Sequence, residues 1–582
     1  MRYASIVANG KSGYHIVGSY FADECERFAA SQLQKYIYEA TNVLLTYYSD
    51  ICTKRGLEIL IGKNARNAEA YYKREELEAL GEEGFLIRRT EDGTLLICGN
   101  RSRGTLYGVY AFLERFLGFR AFCTDVEKID RTDVLELPLL NITETPAFEY
   151  RDAYFRGAFN GDLASKLRLN TSVADLSREK GLGMKFYSAH HTFETLLPSA
   201  KYFQTNPEYY ALINGKRTPT QPCLSNQAVV DIMTQSVLRL IDENSHARVF
   251  SVAQNDNQGY CQCERCREID TREGSPAGSM ITFVNRVAER IEQMHPDILI
   301  HTFAYQYTRH APRYVRPREN VIVRLCNIEC EWSEPFEVLA DKDAGSEAWA
   351  FVKDIKDWTA ICDRVYIWDY AVNYRHYLLP FPNFYQMAEN IRFYKRMGIR
   401  GILEEGNFSY GGGAAMDELK SYLIGKLLWN PDLDADVLID EFLEGVYGKG
   451  APYLKEYITL TTASVKGVRL GIYDDPDSPY FTDDLVATYK KLFQKAIDAA
   501  EEQAQKERIE KERLSVEYLE VSRIEDDKAR SLAMDALSKK IVRFRLTEIM
   551  ERRNLYDSFE YVKKSRYAKN REGEYNTYYV VK

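Results

Sequence analysis

The strongest constraint on the fold is a regular alternation of short apolar segments with helical patterns between about residues 148 and 429. Between several of the segments lie amphipathic patterns such as Ser279–Met294, which places its apolar residues on one stripe. Such alternation produces a parallel sheet, and eight units predict a (β/α)8 TIM barrel. The eight predicted strands are FEYRDAYF, LNTSVADL, MKFYSAH, ARVFSVAQND, DILIHTFAY, NVIVRLCNIE, RVYIWDY and IRGILEEG.

The segments on either side of the barrel have different patterns. Residues 1–145 mix both periods, with a helix predicted from Asp23 to Thr41 and a hairpin turning at Asp92-Gly93, which indicates a small non-catalytic α/β domain. Residues 146–430 form the predicted catalytic barrel. Residues 431–582 are mostly charged helical patterns, and the final TYYVVK is predicted as a strand. The predicted fold class is therefore α/β, with a helical C-terminal domain.

Composition narrows the partners of the protein. The net charge is −9, which argues against nucleic acid or an anionic membrane surface, because both reward basic patches. No segment reaches the apolar length of a membrane span, and the start lacks the apolar region of a secretory signal. Eleven cysteines, mostly scattered singly, fit a reducing compartment. A soluble cytoplasmic protein is expected, with no indication of its oligomeric state.

Polar residues stand where the predicted strands end. In a barrel of this kind the active site lies at the carboxyl ends of the strands. Four of the eight strands end in acids, beside tyrosines and a tryptophan. The residues at these ends are Asp152, His190, His191, Gln254, Asn255, Asp256, Asn257, Tyr305, Asn327, Glu329, Trp368, Asp369, Tyr370, Glu404, Glu405 and Asn407.

Several acids on one rim favour glycoside hydrolysis, which needs one carboxylic acid to protonate the leaving oxygen and a second carboxylate as base, nucleophile or orienting group. Tyr and Trp have flat apolar faces suited to sugar rings, and tyrosine alone counts 42. Any single acid could equally be a helix cap. The chain has no Walker loop, no G-x-G-x-x-G opening a helix, no G-x-S-x-G and no H-E-x-x-H.

Three cysteines follow the fourth predicted strand with the spacing C-x-C-x-x-C: Cys261, Cys263 and Cys266. A structural zinc site needs four nitrogen or sulfur ligands, so a fourth would come from a distant Cys or His. The alternative is that these residues are reduced thiols packing a tight loop. Catalysis is expected to need no cofactor, and zinc would be structural.

Several long motifs resemble a bacterial family known as domain of unknown function 4838. They are QNDNQGYCQCERC with the following GSPAGSMITFVNRVAERI, then VIVRLCNIEC, WDYAVNYRHYLLPFPNF and GILEEGNFSYGGGAAMDELKSYLIGKLLWNPD, and the resemblance covers about residues 150–450. RSRGTLYGVYAFLERFLGFRAF resembles the domain that precedes the barrel in family 20 hexosaminidases and family 67 α-glucuronidases. Part of the larger family is recognised as glycoside hydrolase family 163, whose members are retaining endo-β-N-acetylglucosaminidases that use the substrate's 2-acetamido group.

This resemblance implies a retaining β-glycosidase acting on 2-acetamido sugars in an oligosaccharide or glycoside. The family commonly has Glu-Gln-Gly where this chain has Glu404-Glu405-Gly406, so Glu404 is favoured as general acid/base. Asp256 or Glu329 would orient the acetamido group. An enzyme that cuts the glycans of glycoproteins should be exported. Because no secretory signal is seen, the expected substrates are small oligosaccharides imported into the cell. The predicted sugar-binding residues are Asn255, Asn257, His191, Tyr305, Trp368, Asp369, Tyr370, Glu405 and Asn407.

Two other functions stay open. One is an inverting exo-enzyme like the α-glucuronidases, in which Arg156 or Arg375 would bind the uronate. The other is a non-catalytic carbohydrate-binding protein on a barrel, which would bind sugar without turnover.

Overall fold

The computed structural model describes residues 3–66, 71–171, 173–188, 190–409 and 411–565. The strand predicted for TYYVVK lies outside these residues. The strands are β1 (Ala4–Ala8), β2 (Tyr14–Gly18), β3 (Tyr47–Ser49), β4 (Leu57–Ile61), β5 (Phe85–Arg89), β6 (Leu95–Gly99), β7 (Arg120–Cys123), β8 (Val126–Lys128), β9 (Val134–Leu137), β10 (Leu140–Glu144), β11 (Tyr150–Tyr154), β12 (Phe186–Tyr187), β13 (Tyr210–Ile213), β14 (Lys216–Pro222), β15 (Val249–Ser251), β16 (Leu299–Ala304), β17 (Val321–Cys326), β18 (Val365–Tyr370) and β19 (Gly401–Glu405).

The helices are α1 (Glu24–Thr41), α2 (Arg74–Glu78), α3 (Ser102–Phe116), α4 (Gly161–Lys166), α5 (Phe193–Leu196), α6 (Ser199–Tyr202), α7 (Gln227–Glu243), α8 (Glu264–Glu273), α9 (Ala277–Met294), α10 (Phe336–Lys342), α11 (Glu347–Thr359), α12 (Phe384–Arg396), α13 (Asp417–Trp429), α14 (Ala435–Tyr447), α15 (Ala451–Ser464), α16 (Asp483–Ala499), α17 (Gln503–Ser522), α18 (Asp527–Arg543) and α19 (Leu555–Lys564). Short 3-10 helices lie at Arg156–Phe159, Arg178–Lys180, Pro207–Tyr209, Gln306–Thr308 and Gly448–Gly450. Within the described residues, every helix is too short or too polar to cross a bilayer.

The chain divides into two compact units, and each is built from three chain segments. The first contains residues 1–183, 418–452 and 496–508, and the second contains residues 184–417, 453–495 and 509–582. The three consecutive domains expected from the sequence follow changes of secondary structure, whereas these units follow spatial contacts.

The first unit contains a six-stranded sheet in the order β10-β5-β6-β4-β2-β3. The Asp23 side chain accepts a 2.9 Å hydrogen bond from the Glu26 backbone N–H and so begins α1, which ends at Asn42 in a left-handed conformation. The predicted hairpin is the antiparallel pair β5 and β6, and Gly93 in its turn has a φ of +92°. The helix and the hairpin predicted here are therefore confirmed.

The second unit contains six parallel strands in the order β12-β15-β16-β17-β18-β19. Apart from the two half-buried residues of β12, these strands are almost wholly buried, as expected for a parallel sheet covered on both sides. Helices α7, α9, α11 and α12 lie between successive strands in the chain. Because all six strands run the same way, their carboxyl ends share one edge, and the residues beyond that edge are brought together.

One of the eight strands predicted from the sequence is wrong. Residues 169–176, as far as they are described, are mostly buried but form no strand. The Asn170 side chain accepts a hydrogen bond from Arg151 N–H at 2.8 Å and donates one to the Glu149 carbonyl at 2.7 Å, so side-chain bonds to the backbone at β11 stand where strand pairing was expected. The other seven predicted strands are present, six of them in the second unit and the seventh, β11, in the first, so the predicted eight strands are corrected to seven.

Candidate active site

The candidate site lies at the carboxyl edge of the second unit's sheet. The carboxyl ends of β15, β16, β17, β18 and β19 lie along this edge, and the residues predicted for the site stand at or just after these ends. Which of them face one another depends on the strand register, because successive side chains of a strand point to opposite faces.

The register separates the two adjacent acids of β19. Tyr370 pairs with Glu405, whereas Asp369 pairs with Glu404. Trp368 shares the face of Tyr370, and its indole N–H donates a 2.7 Å hydrogen bond to the Glu405 carboxylate. Glu405 therefore faces the same side as the aromatic residues of β18, and Glu404 points to the opposite side.

The Glu405 carboxyl is held in a desolvated setting. Its pKa is raised from 4.5 to about 8, first by burial and then by the negative charge of Glu551. The Trp368 hydrogen bond and the positive charge of Arg552 act in the other direction. A carboxyl of this kind keeps its proton near neutral pH, which is what a general acid needs.

The exposed carboxylate of Asp256 lies at the same edge. It accepts hydrogen bonds from the Tyr305 hydroxyl at 3.2 Å and from the Gln306 amide at 3.3 Å. The Nε2 atom of His191 lies 3.9 Å from it, while His191 Nδ1 is 2.5 Å from the Gln254 carbonyl oxygen. This part of the site is polar and open to solvent.

The thiol of Cys326 is buried at the end of β17, and several charged side chains act on it. Burial raises its pKa far above the usual value; the positive charge of Arg324 opposes this rise, and the negative charges of Glu329, Glu405 and Asp256 add to it. Glu329 is itself paired with Arg309, whose Nη1 lies 3.3 Å from a Glu329 oxygen, and burial raises the pKa of Glu329.

Asp369, predicted to bind sugar, lies instead at the centre of a buried network of hydrogen bonds. It is 2% exposed and accepts hydrogen bonds from the Asn327 amide (2.9 Å), the Trp332 indole (2.9 Å) and the Tyr394 hydroxyl (2.5 Å). Tyr394 is on α12, so this face of the sheet is turned to the helices. Glu404, 1% exposed, shares that face and acts on the same tyrosine.

The three predicted sugar-binding asparagines have their amides engaged within the protein. Asn255 and Asn257 both donate to the Thr220 carbonyl, at 2.9 and 3.1 Å. Asn407 is fully buried, and its amide, oriented to accept, meets the backbone N–H groups of Gly413 and Ala414 at 2.7 and 3.2 Å. All three shape the loops around the site.

The site contains residues that the sequence reading missed. Glu551 and Arg552 come from the segment between α18 and α19 and act electrostatically on Glu405. Arg324, in the middle of β17, lies 5.7 Å from the Trp368 ring. The ring of His190, which the sequence placed at a strand end beside the chosen His191, is 5.6 Å from the same ring. Arg324 lies inside a predicted strand, and its place beside Trp368 becomes clear only from the register of β17 with β18. The sequence around Glu551 and Arg552 has no pattern that indicates a site.

The three cysteines after β15 also come together. Cys261, Cys263 and Cys266 form one cluster with Cys223, which directly follows β14. Cys223 was not singled out in the sequence, because it stands alone in QPCLSN with no cysteine spacing to mark it.

Comparison with known proteins identifies two matching sequence profiles. Residues 122–459 match a profile described as a domain of unknown function, DUF4838. Residues 2–112 match the N-terminus of glycosyl hydrolase family 67. The resemblances to these two families are therefore confirmed. No curated protein matches the chain.

The comparison with solved structures finds one enzyme that shares the fold at low sequence identity and others with weaker similarity. A family GH115 4-O-methyl-α-glucuronidase with specificity for decorated arabinogalactans is 14% identical, with a TM-score of 0.58 over 97% of this chain and 81% of that one. The family 89 glycoside hydrolase from Clostridium perfringens is 10% identical, with a TM-score of 0.48 over 93% and 70%. The β-N-acetylhexosaminidase from Bacteroides fragilis NCTC 9343 is 12% identical, with a TM-score of 0.41 over 74% and 90%.

Proposed function

Because the chain belongs to the family described as domain of unknown function DUF4838, we propose its activity from its own geometry: it is a glycoside hydrolase whose proton donor is Glu405. The observation that carries the proposal is the Glu405 carboxyl on the aromatic face of the sheet at its carboxyl edge, where Trp368 holds it and burial raises its pKa to about 8. The family 67 N-terminal match adds support, since that segment precedes a catalytic domain in glycosidases.

Glu405 takes the role first assigned to Glu404. Proton donation requires the acid to reach the glycosidic oxygen, and a donor facing the helices cannot do so. Glu404 lies on the same face as Asp369, beside Tyr394 of α12. Glu405 lies beside Trp368 and Tyr370 instead.

The substrate is a β-glycoside with a 2-acetamido group, and cleavage proceeds with retention. In this reaction the acetamido oxygen attacks the anomeric carbon while Glu405 protonates the departing oxygen, and water then opens the cyclic intermediate. Asp256 orients the acetamido group by accepting its N–H, with the Tyr305 hydroxyl beside it. Glu329 is less suited to this role because Arg309 already holds it.

The experiment is a screen of nitrophenyl glycosides, with the anomer of the first product read by NMR. Hydrolysis of a 2-acetamido β-glycoside with retention supports the proposal. Replacing the acetyl group by trifluoroacetyl weakens the internal nucleophile, so the rate should fall steeply. Retention without sensitivity to this change would point to a carboxylate nucleophile instead.

A second candidate is an exo-enzyme for uronic acid glycosides, and Arg552 is the observation that favours it. Its side chain is 78% exposed and acts on the Glu405 carboxyl, so it could bind a sugar carboxylate at the site. The cations considered earlier are less suitable: Arg375 pairs with Asp475 at 2.9 Å, and Arg156 belongs to the first unit. Turnover of a nitrophenyl glucuronide with inversion, and a raised KM in Arg552→Gln, would establish this function.

A protein that binds sugar without catalysis predicts a different result. It would bind oligosaccharide tightly, release no nitrophenol from any substrate, and keep its affinity in Glu405→Gln.

A further inference from the structure

The four cysteines of the second unit's sulfur cluster have a geometry that packing alone does not require. The sulfur atoms of Cys223, Cys261, Cys263 and Cys266 all lie within 4.8 Å of one another. Three of the residues are buried and Cys263 is half-buried. They come from two separate chain segments, the end of β14 and the start of α8 with the loop before it.

The sulfur separations fit a metal ion at the centre better than disulfide bonds. Cys223 Sγ lies 3.6 Å from Cys263 Sγ and 3.9 Å from Cys266 Sγ. A disulfide requires about 2.05 Å. Four sulfurs placed about 2.3 Å from a tetrahedral zinc ion lie about 3.8 Å apart, which matches these separations.

The groups around the sulfurs are donors. The backbone N–H of Leu212 donates to Cys261 Sγ at 3.3 Å, and Arg217 Nη1 lies 3.9 Å from the same atom. The Ser225 hydroxyl oxygen accepts a 3.2 Å hydrogen bond from the Cys266 thiol, and the hydroxyl becomes the donor when that thiol loses its proton to a metal. Zinc with four thiolates has a net charge of −2, and such outer donors and a nearby cation stabilise it.

We propose that Cys223, Cys261, Cys263 and Cys266 bind one zinc ion in a tetrahedral structural site. Four protein ligands leave no open position for water or substrate, so the ion has no part in catalysis. The site is separate from the carboxyl groups assigned to hydrolysis, and the proposal holds whichever sugar the protein takes.

The ion fastens the loop that presents Asp256. That loop runs from β15 to Cys261 and is already tied to β14 by the Gln221 amide, which donates to the carbonyls of Asn255 and Asn257 at 2.7 and 3.1 Å. A bridge from Cys223 to the cysteines at the loop's far end would fix both ends of the segment. Zinc would thereby influence the candidate active site only by holding the loop that contains Asp256 in place.

The first test uses the purified full chain with no metal added. Elemental analysis by mass spectrometry is expected to find one zinc per chain. After exchange, cobalt should give the intense thiolate charge-transfer absorption of a tetrahedral sulfur site. Iron at one per chain, or no metal with four freely titrating thiols or two disulfides, would overturn the proposal.

The second test compares two serine variants. Cys263→Ser removes the least buried ligand and should reduce zinc to well below one per chain. Cys362→Ser, a buried cysteine outside the cluster, should keep the full equivalent. Full zinc in both variants would overturn the proposal. Because the wild-type measurement needs no variant to fold, failure of Cys263→Ser to fold leaves that result decisive.

Discussion

The indole N–H of Trp368 donates a 2.7 Å hydrogen bond to the carboxyl of Glu405, across adjacent parallel strands of the second unit. This contact fixes the direction of the carboxyl and favours its ionised form, while burial and Glu551 favour the protonated form. The balance leaves the pKa at about 8, so small changes around Glu405 should be visible in the pH dependence of activity.

The first prediction concerns the two neighbouring glutamates. Glu405→Gln should lower kcat for aryl glycosides with poor leaving groups by about 10²–10⁴-fold, because the departing oxygen loses its proton donor. Substrates with good leaving groups should lose much less. Glu404→Gln is the matched control and should change kcat less than tenfold. Equal losses in the two variants would contradict the assignment.

The second prediction concerns the alkaline limb of the pH profile. Because Glu405 must be protonated to act, kcat/KM should fall above about pH 8. Glu551→Gln removes a charge that raises the Glu405 pKa, so the limb should move to lower pH. Arg552→Gln removes a charge that lowers that pKa, so the limb should move to higher pH. Shifts in the same direction would disprove this electrostatic arrangement.

The third prediction concerns stability. Below about pH 4.5 the Glu405 carboxyl is protonated in both folded and unfolded chains. Between about pH 4.5 and 8 only the folded chain keeps the proton, so the free energy of unfolding falls as pH rises through this window. Glu405→Gln has no proton to lose at this position. The free energy of unfolding of the variant, minus that of wild type, should therefore rise through the same window by on the order of 3–5 kcal/mol.

Chemical denaturation of both proteins, near pH 5 and near pH 8.5, measures this difference. Other titrating groups contribute equally to the two proteins and cancel. A constant difference between wild type and variant at the two pH values would show that the Glu405 pKa is not raised.

The fourth prediction concerns Asp369. Asp369→Ala leaves the buried donors of Asn327, Trp332 and Tyr394 without their acceptor, which should cost about 3–5 kcal/mol of stability. Thermal unfolding measures the loss. The KM of the folded fraction should stay near that of wild type, because Asp369 faces the helices; a large rise in KM would instead place Asp369 in the sugar site.

Apolar runs predicted most of the strands because a covered parallel sheet needs continuous burial. The same reasoning failed at residues 169–176, where Asn170 satisfies nearby backbone groups and the segment is buried without strand pairing. A buried apolar segment is therefore not always a strand, because an asparagine side chain can bond to backbone groups that strand pairing would otherwise satisfy.

The parallel sheet brings the residues predicted for the site to one edge, but the contacts of their side chains could not be predicted from the sequence. Alternation along a strand indicated that only one of Glu404 and Glu405 could face the site, yet the choice needed the register with β18. The strand-end positions of Asn255 and Asn257 did not indicate that both side-chain amides would donate to the Thr220 carbonyl. Glu551 reaches Glu405 from far along the chain, where no periodic pattern points to a site.

The three-segment construction of each unit has a consequence for biosynthesis. The first unit includes residues 1–183 but also needs residues 418–452 and 496–508. At roughly 5–20 residues per second, translation from residue 183 to residue 496 takes on the order of 15 to 60 s. During that interval the nascent chain exposes apolar surface whose partners do not yet exist, so ribosome-associated chaperones should engage it before release.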